Sequence, residues 1–277
     1  MAQTLVSLFV NIISEPSQMR RVEVAIEAAQ IAGAVIRSSN GAALHIQQKD
    51  SSRTSIVTAD LRSQQEVMRV IRRACPDDLI VGEEGSDGKS TSPSRWYVDP
   101  LDGTSNYAHG LPFYCVSIAY CDADGIATGV IYDPVRNEMF TAIRAGGATL
   151  NGRPITVSAN AQLGSSLVST QVQSDNAKVL DQHTNRLRTF LGLARAVRSL
   201  GAPALALAYV ACGRLDAFFE DHMSPWDTLA GTLLVEEAGG LVTTFAGQQR
   251  PLDQRIDILA TNGRLHDEVS ARLSSPD

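Results

Sequence analysis

The order of apolar segments along the chain changes near residue 155, and this change constrains the fold most. Before it, three strand patterns follow one another directly and end at the strong turn signal Asn151-Gly152. After it, strand and helix patterns alternate. Such an order is typical of an α+β part followed by an α/β part built of packed layers. The three early strand patterns are 113–121, 126–132 and 139–143. The later strand patterns are 167–172, 196–200, 216–220, 241–245 and 256–260, and the later helix patterns are 175–191, 204–212, 228–238 and 265–273.

The start of the chain predicts helices before strands. Residues 21–38 and 60–74 carry apolar side chains at helical spacing, and Pro76 ends the second pattern. Short buried strands are predicted at 79–81 and 96–98. We therefore predict a variable N-terminal extension, an α+β part and an α/β part, with a ligand site in the cleft between the two parts. Their predicted bounds are 1–17, 18–155 and 156–277.

Composition and charge narrow the class of protein. Hydrophobic residues make up 44% and charged residues 19% of the 277 residues, which is ordinary globular composition. The net charge of −6 and the absence of a long basic run argue against a nucleic-acid partner. The apolar stretch 5–13 is too short to span a bilayer, so no membrane partner is expected. Four scattered cysteines indicate free thiols and a cytoplasmic protein.

Two carboxylates follow the strand pattern at 96–98 directly. Asp99 and Asp102 are three residues apart, and Gly103 after them permits a tight turn. Thr104 can open a helix whose free N–H groups suit a phosphate oxygen. Alone, this pattern is more often a surface turn with a helix cap.

Further acidic side chains stand at the ends of other predicted elements. Glu83 follows the strand pattern 79–81, and Asp227 lies in the first turn of an apolar helix. Each one alone is more often a solvated side chain or a partner of the helix dipole. Together with Asp99 and Asp102 they form the carboxylate set that Mg²⁺ prefers beside waters and a substrate phosphate. The sequence therefore predicts a magnesium site for phosphoryl chemistry.

Taken in order, these segments resemble the inositol monophosphatase family, from about Arg20 onward. The matching motifs are Ile56-Val57-Thr58-Ala59-Asp60, Gly82-Glu83-Glu84, Asp99-Pro100-Leu101-Asp102-Gly103-Thr104, Tyr132-Asp133-Pro134, Asn151-Gly152, Arg198-Ser199-Leu200-Gly201, Pro225-Trp226-Asp227 and Glu237-Ala238-Gly239-Gly240. The resemblance implies an alternating α-β-α-β-α sandwich, usually a homodimer. It also implies hydrolysis of a small-molecule phosphate monoester with two or three Mg²⁺ ions, commonly inhibited by Li⁺.

The resemblance implies which residues would hold the metal ions. Glu83, Asp99 and the carbonyl of Leu101 match the ligands of a first ion. Asp99, Asp102 and Asp227 match those of a second ion. Glu83 would also help to hold a third, weaker ion, so we count it among the catalytic residues.

The same matching assigns the water, the phosphate and the alcohol part of the substrate. Asp60 and Thr104 match the pair that orients the attacking water, and the N–H groups of Gly103 and Thr104 would bind the phosphate. Glu220 matches the position that receives substrate hydroxyls. Lys49 matches a loop position near the phosphate, although a solvated lysine is the more ordinary interpretation.

One departure from the family pattern falls in the substrate-facing region. Relatives usually carry Gly-Ser/Thr-Ala-Ala where this chain has Gly201-Ala202-Pro203-Ala204. Proline has no backbone N–H to offer a substrate hydroxyl. Ala202 and Pro203 therefore join Asp102 and Glu220 as predicted substrate-binding residues, and the departure argues against inositol phosphate as the best substrate.

Several alternatives stay open at this point. The substrate could be histidinol phosphate, fructose 1,6-bisphosphate, a 3′-phosphorylated nucleotide or an intermediate of a secondary pathway, since one fold serves many substrates. A protein that binds phosphates without turnover would be the alternative outside the enzymes. The presence of every expected carboxylate favours an enzyme.

Overall fold

A computed structural model describes residues 16–39, 47–48, 55–56, 58–87, 91–171 and 176–274. Lys49 and most of the predicted N-terminal extension lie outside these residues. The seven helices of the described chain are α1 (Pro16–Ser39), α2 (Thr58–Ala74), α3 (Thr104–Ala108), α4 (Ala177–Leu193), α5 (Pro203–Ala211), α6 (Pro225–Glu237) and α7 (His266–Ser274). None of them has the length and apolarity of a membrane span.

The described strands form two large sheets and a separate two-stranded pair. The pair is β1 (Gln47–Gln48) and β2 (Ser55–Ile56). The first large sheet holds β3 (Leu79–Gly82), β4 (Gly85–Asp87), β5 (Arg95–Asp102), β6 (Cys115–Asp122), β7 (Gly125–Asp133), β8 (Glu138–Ile143), β9 (Gly147–Leu150) and β10 (Arg153–Pro154). The second holds β11 (Leu167–Ser169), β12 (Ala196–Arg198), β13 (Ala217–Met223), β14 (Leu241–Thr243) and β15 (Ile256–Thr261).

The first large sheet is an antiparallel meander with one parallel step. Its strand order is β10-β9-β8-β7-β6-β5-β3-β4, and only β3 and β5 pair in parallel. This parallel pairing brings the ends of β3 and β5 to the same edge of the sheet. The residues that follow Gly82 therefore lie beside Asp99 and Asp102.

The second large sheet is mixed, with the order β12-β11-β13-β15-β14. Its pairing of β13 with β15 is irregular between Glu220 and Met223, and His222 adopts a positive φ of 59° there. A bulge of this kind bends a strand and changes where its side chains point.

The two large sheets and the helices alternate in five layers. Helices α1 and α2 cover one face of the eight-stranded sheet with apolar side chains. The pair α5 and α6 packs between the two sheets, where residues from both halves of the chain share one core. Helices α4 and α7 cover the outer face of the five-stranded sheet. The predicted α-β-α-β-α sandwich is confirmed.

Close backbone contact holds the middle layer against the first sheet. A Cβ added to Gly129 in β7 would lie 2.6 Å from the carbonyl oxygen of Ala230 in α6. Only glycine leaves room for that approach. The helix that carries Asp227 is therefore fixed against the sheet that carries Asp99.

The structure corrects several predicted elements. The short strand β4 follows Glu84 and was not among the predicted strands, and the pairing of Gly82 with Gly85 brings it alongside β3. Strand β13 runs three residues beyond its predicted end, through the bulge, to Met223. Strand β5 continues beyond its predicted end at Val98 to Asp102. It can include Pro100 because its ladder with β6 is interrupted between Asp99 and Asp102.

Candidate active site

Three elements bring the predicted metal-binding carboxylates towards one edge of the first sheet. Asp99 and Asp102 end β5, and both are buried. Glu83 follows β3, and its N–H donates to the carbonyl of Val98 at 3.1 Å. Asp227 lies in the first turn of α6. The structure thus gathers residues that are widely separated in sequence.

Asp99 lies at the centre of this group of carboxylates. Its Oδ1 accepts a 2.9 Å hydrogen bond from the N–H of Leu101. Burial raises the pKa of Asp99 well above its ordinary value, and the charges of Glu83, Asp102 and Asp227 raise it further. The four acids are therefore close enough to repel one another.

Asp102 joins the first sheet to the middle helical layer. Its Oδ2 accepts hydrogen bonds from the N–H groups of Ala204 at 2.8 Å and Leu205 at 3.3 Å, at the start of α5. Burial still raises the pKa of Asp102 well above its ordinary value, with the charge of Asp227 as the next cause. The helix end stabilises this carboxylate only in part.

Asp227 forms a capping box with Ser224. The Ser224 N–H donates to Oδ2 of Asp227 at 2.9 Å, and the Ser224 side chain accepts from the Asp227 backbone. Burial and the charge of Glu83 raise the pKa of Asp227 to about 7, against the Ser224 hydrogen bond and the charges of Arg255 and Arg250. A carboxyl group so placed would lose its proton to solvent when a cation binds.

The chemistry of these donors fits a hard cation. Asp99, Asp102 and Asp227 each use one carboxylate oxygen for a backbone N–H, and no described residue donates to the other oxygen. Among the described residues, no three His, Cys, Asp or Glu side chains converge closely enough to hold an ion as they stand. A bound cation would neutralise these like charges and allow the carboxylates to lie closer together.

A tight turn follows Asp102 and precedes α3. Gly103 has a φ of 93°, and a Cβ there would lie 3.0 Å from the carbonyl oxygen of Phe113, so this position requires glycine. The hydroxyl of Thr104 donates to the carbonyl of Leu101 at 3.0 Å. The N–H groups of Gly103 and Thr104 donate to no described residue, so both can bind an anion.

Asp60 approaches this turn from α2. It lies in the first turn of that helix and is only 2% exposed. Its charge raises the pKa of Tyr107 in α3, after the larger effects of burial and Tyr114. The structure thus places Asp60 near the helix that begins with Thr104, while the hydroxyl of Thr104 itself bonds Leu101.

The predicted substrate residues lie on α5 and β13. Ala202 precedes α5, Pro203 is its first residue, and both are buried. Burial raises the pKa of Glu220 well above its ordinary value, and Asp227 and Asp102 raise it further. Glu220 therefore belongs to the same group of acids. Gln171 donates a hydrogen bond to the Glu220 side chain, while Oε2 of Glu220 is buried with no partner among the described residues.

Comparisons with known proteins agree with this geometry. The model of the inositol monophosphatase family matches residues 17–275. The chain belongs to the inositol monophosphatase family.

Individual relatives cover nearly the same span. An inositol-1-monophosphatase of Synechocystis is 41% identical over 94% of this chain and 91% of its own length. The Nus factor SuhB of Pseudomonas aeruginosa is 40% identical over 84% of this chain and 88% of its own. The solved structure of the suhB protein from Bartonella henselae has a TM-score of 0.86 and 33% identity, covering 92% of this chain and 98% of that one.

Membership of the inositol monophosphatase family makes the chain a phosphoric monoester hydrolase that acts on small phosphorylated substrates. The family is generally metal-dependent. Three of the family motifs, Gly82-Glu83-Glu84, Asp99-Pro100-Leu101-Asp102-Gly103-Thr104 and Pro225-Trp226-Asp227, contain the acids that the structure brings together.

Residues outside the family motifs also contribute to the site. Ser224 holds Asp227, and Gln171 holds Glu220. Arg255 donates to Oγ of Ser224 at 3.1 Å and lines a cavity of about 450 Å³ beside the turn before α6. Sequence reasoning missed all three. The Ser-x-x-Asp spacing of a capping box could have indicated Ser224, whereas no local pattern marks Gln171 or Arg255.

Proposed function

We propose that this chain hydrolyses a small-molecule phosphate monoester with Mg²⁺, held by Glu83, Asp99, the carbonyl of Leu101, Asp102 and Asp227. The observation that carries this proposal is the mutual repulsion of buried carboxylates. Asp99, Asp102 and Asp227 each have a raised pKa because of burial and of neighbouring acids. No described lysine or arginine forms an ion pair with any of the three. A divalent cation would supply the missing positive charge.

Bound there, Mg²⁺ would neutralise the phosphate, lower the pKa of a water and stabilise the leaving oxygen. The protein would supply the positioning. Asp60 and Thr104 would orient the water, and the N–H groups of Gly103 and Thr104 would bind phosphate oxygens. The short distance from Thr104 to the carbonyl of Leu101 ties the water-orienting residue to a proposed metal ligand.

The alcohol part of the substrate would lie towards α5 and β13. Asp102 and Glu220 are the acids that could accept its hydroxyl groups, and Ala202 and Pro203 would form the adjoining wall. Glu220 Oε2 suits this role, because it is a buried acceptor that no described residue satisfies. We propose a polyhydroxylated or similarly polar alcohol part, with inositol 1-phosphate as one candidate rather than the best one.

Phosphate release from a panel of monoesters tests the proposal. The panel contains inositol 1-phosphate, histidinol phosphate, fructose 1,6-bisphosphate, a 3′-phosphorylated nucleotide and glycerol 2-phosphate, each with Mg²⁺ or with EDTA. We expect turnover that requires Mg²⁺ and that millimolar Li⁺ inhibits, while Na⁺ at the same ionic strength does not. Release that is equal in EDTA would contradict the metal assignment. Equal inhibition by Li⁺ and Na⁺ would show that the inhibition is electrostatic screening by salt and not binding of Li⁺.

A role without turnover is the second candidate, because two relatives at 40% identity are named Nus factors. The Asp99→Asn variant separates the two candidates. It should lose phosphatase activity, whereas a purely binding function would survive it. The homodimer and the cytoplasmic location stay predictions from the sequence.

A further inference from the structure

Successive residues of β13 face different layers of the sandwich. Phe218 packs in the core between the two sheets, and Phe219 packs in the core of the outer helical layer. Because side chains alternate along a strand, Glu220 faces the middle layer, where the charges of Asp227 and Asp102 raise its pKa after burial. Asp221 faces the opposite way, towards α4. The acid proposed to receive substrate hydroxyls is thus followed directly by an acid on the other face of the sheet.

Two side chains of α4 hold the carboxylate of Asp221. Its Oδ1 contacts Nε2 of His183, and its Oδ2 accepts a 2.5 Å hydrogen bond from Nη1 of Arg186. His183 and Arg186 are three residues apart and therefore share one face of the helix. Burial would raise the pKa of Asp221, but His183 and Arg186 lower it below its ordinary value. The carboxylate of Asp221 is therefore ionised and anchored, and its side chain is only 14% exposed.

Aromatic rings fix the position of Arg186 in turn. Its guanidinium carbon lies 4.8 Å from the centroid of the Phe245 ring, an arrangement that the ring quadrupole stabilises. The Phe245 ring packs on Phe219 of β13 with centroids 6.3 Å apart, and Phe190 of α4 packs on Phe219 at 4.6 Å. The anchor of Asp221 therefore belongs to the packed core of the outer layer.

Asp221 lies where the ladder of β13 supports the strand least. The register with β15 shifts between Glu220 and Met223, so that Asp221 and His222 together oppose one residue of β15. A bulge of this kind interrupts the ladder and changes the direction of the neighbouring side chains. The positive φ of 59° at His222 persists only where the surrounding structure holds it. The contacts from α4 to Asp221 hold the bulge from outside the sheet.

We propose that Asp221, held by His183 and Arg186, is a positioning residue that directs the carboxyl group of Glu220 towards the alcohol part of the substrate. On its own face Glu220 has a hydrogen bond from Gln171, and its Oε2 has no partner among the described residues. Its direction therefore depends on the backbone of the bulge, which Asp221 anchors. This inference rests on the proposed function, in which Glu220 accepts substrate hydroxyls.

Steady-state kinetics with Mg²⁺ and two esters test the inference. Inositol 1-phosphate carries hydroxyls that Glu220 can accept, whereas 4-nitrophenyl phosphate carries none. Asp221→Ala should raise KM for inositol 1-phosphate about tenfold at nearly unchanged kcat, and it should leave KM for 4-nitrophenyl phosphate within about twofold. Arg186→Met removes the other charge of the pair and should act in the same direction, so it decides the question even if Asp221→Ala does not fold. Arg186→Lys keeps a charged donor and should remain near the wild type.

A double-mutant cycle determines whether Asp221 acts through Glu220. In the Glu220→Ala background, Asp221→Ala should raise KM for inositol 1-phosphate no further, because the group that it positions is gone. Asp122→Ala is the matched control, since Asp122 also has a lowered pKa and pairs with Arg144, but in the first large sheet. It should leave KM for both esters unchanged. An equal rise for both esters in Asp221→Ala, or effects that add in the double variant, would overturn the inference.

Crystal structures of the wild-type chain and of Asp221→Ala give a readout that does not depend on turnover. We expect the carboxyl group of Glu220 to move by about 1 Å or more while Asp99 stays in place, and a displacement of that size is large enough to affect substrate handling. An unmoved Glu220 would overturn the inference whatever the kinetics show. A displaced Glu220 in a chain without Mg²⁺-dependent turnover would contradict the proposed function and still support positioning by Asp221.

Discussion

Oδ2 of Asp102 accepts a 2.8 Å hydrogen bond from the N–H of Ala204, so an acid at the end of β5 caps the start of α5. Pro203 is the first residue of that helix and has no N–H of its own. The first N–H groups of α5 that can donate, those of Ala204 and Leu205, both point at Asp102. The proposed wall of the substrate site and one proposed metal ligand are therefore coupled through one helix end.

This coupling makes Pro203 a candidate determinant of substrate choice. Pro203→Ala restores an N–H beside the proposed alcohol site and keeps the helix, since alanine suits a helix. We expect kcat/KM for inositol 1-phosphate to rise about tenfold, with little change for glycerol 2-phosphate, which has fewer hydroxyls. Steady-state kinetics on both substrates give the ratio. Two outcomes would contradict this role: a wild-type enzyme that already prefers inositol 1-phosphate, or a ratio of the two kcat/KM values that Pro203→Ala leaves unchanged. Pro203 would then serve only as the first residue of α5.

The proposed metal ligands can be tested without loss of the fold. Asp99→Asn and Asp227→Asn each remove a charge but keep an oxygen that can accept from the N–H of Leu101 or Ser224. We expect each variant to lose most activity at any Mg²⁺ concentration. We also expect melting temperatures in EDTA no lower than that of the wild type, because a repulsive charge is gone. Asp124→Asn, at an exposed loop acid, is the control. Near wild-type turnover in either variant at saturating Mg²⁺ would refute the assignment.

The raised pKa of Asp227 predicts how stability depends on pH. Its pKa is about 7 in the folded chain against an ordinary value of 3.8, so the folded state binds this proton more tightly than the unfolded state does. In EDTA, the free energy of unfolding should therefore fall as the pH rises from about 4 to about 7, by at most about 1.4 kcal/mol per pH unit for one proton.

Thermal unfolding from pH 5 to 8 measures this slope. Asp227→Asn should show a shallower decline than the wild type, since its residue 227 does not titrate. Saturating Mg²⁺ should also reduce the decline, because the cation favours the ionised carboxylates. Wild type and variant with the same slope in EDTA would contradict the raised pKa.

Thr104 can orient a water only through its hydroxyl. Thr104→Ala should lower kcat on the order of 100-fold with little change in KM, because the interaction operates in the transition state. Thr104→Ser retains a hydroxyl that can reach the carbonyl of Leu101, and it should keep much of the activity. If Thr104→Ala instead raised KM at constant kcat, Thr104 would be a substrate-binding residue.

The acids of the site were predictable because each one follows a recognisable element. A buried strand pattern leads into Asp99 and Asp102, another into Glu83, and an apolar helix begins just before Asp227. Local patterns determine where strands and helices end. The family motifs, which occur in the expected order, then predicted the layered fold.

Features that depend on tertiary contacts were not predictable. Gly-Ser-Asp has low strand propensity, and it forms β4 because β3 and the side chain of Gln64 lie beside it. Arg250 lies in a polar loop without periodicity, and its burial against α6 follows from the packing of distant segments. The bulge at His222 likewise arises from the pairing of β13 with β15.

Because α5 and α6 pack between the two sheets, the two halves of the chain share one core. Cleavage of the chain near residue 155 would separate Asp99 and Asp102 from Asp227 and Glu220, and each fragment would expose an apolar surface that the other covers. Neither fragment should hydrolyse a phosphate ester alone. Mixing them should restore turnover as the shared core reforms, so phosphate release would report the reassociation of the two fragments and its rate.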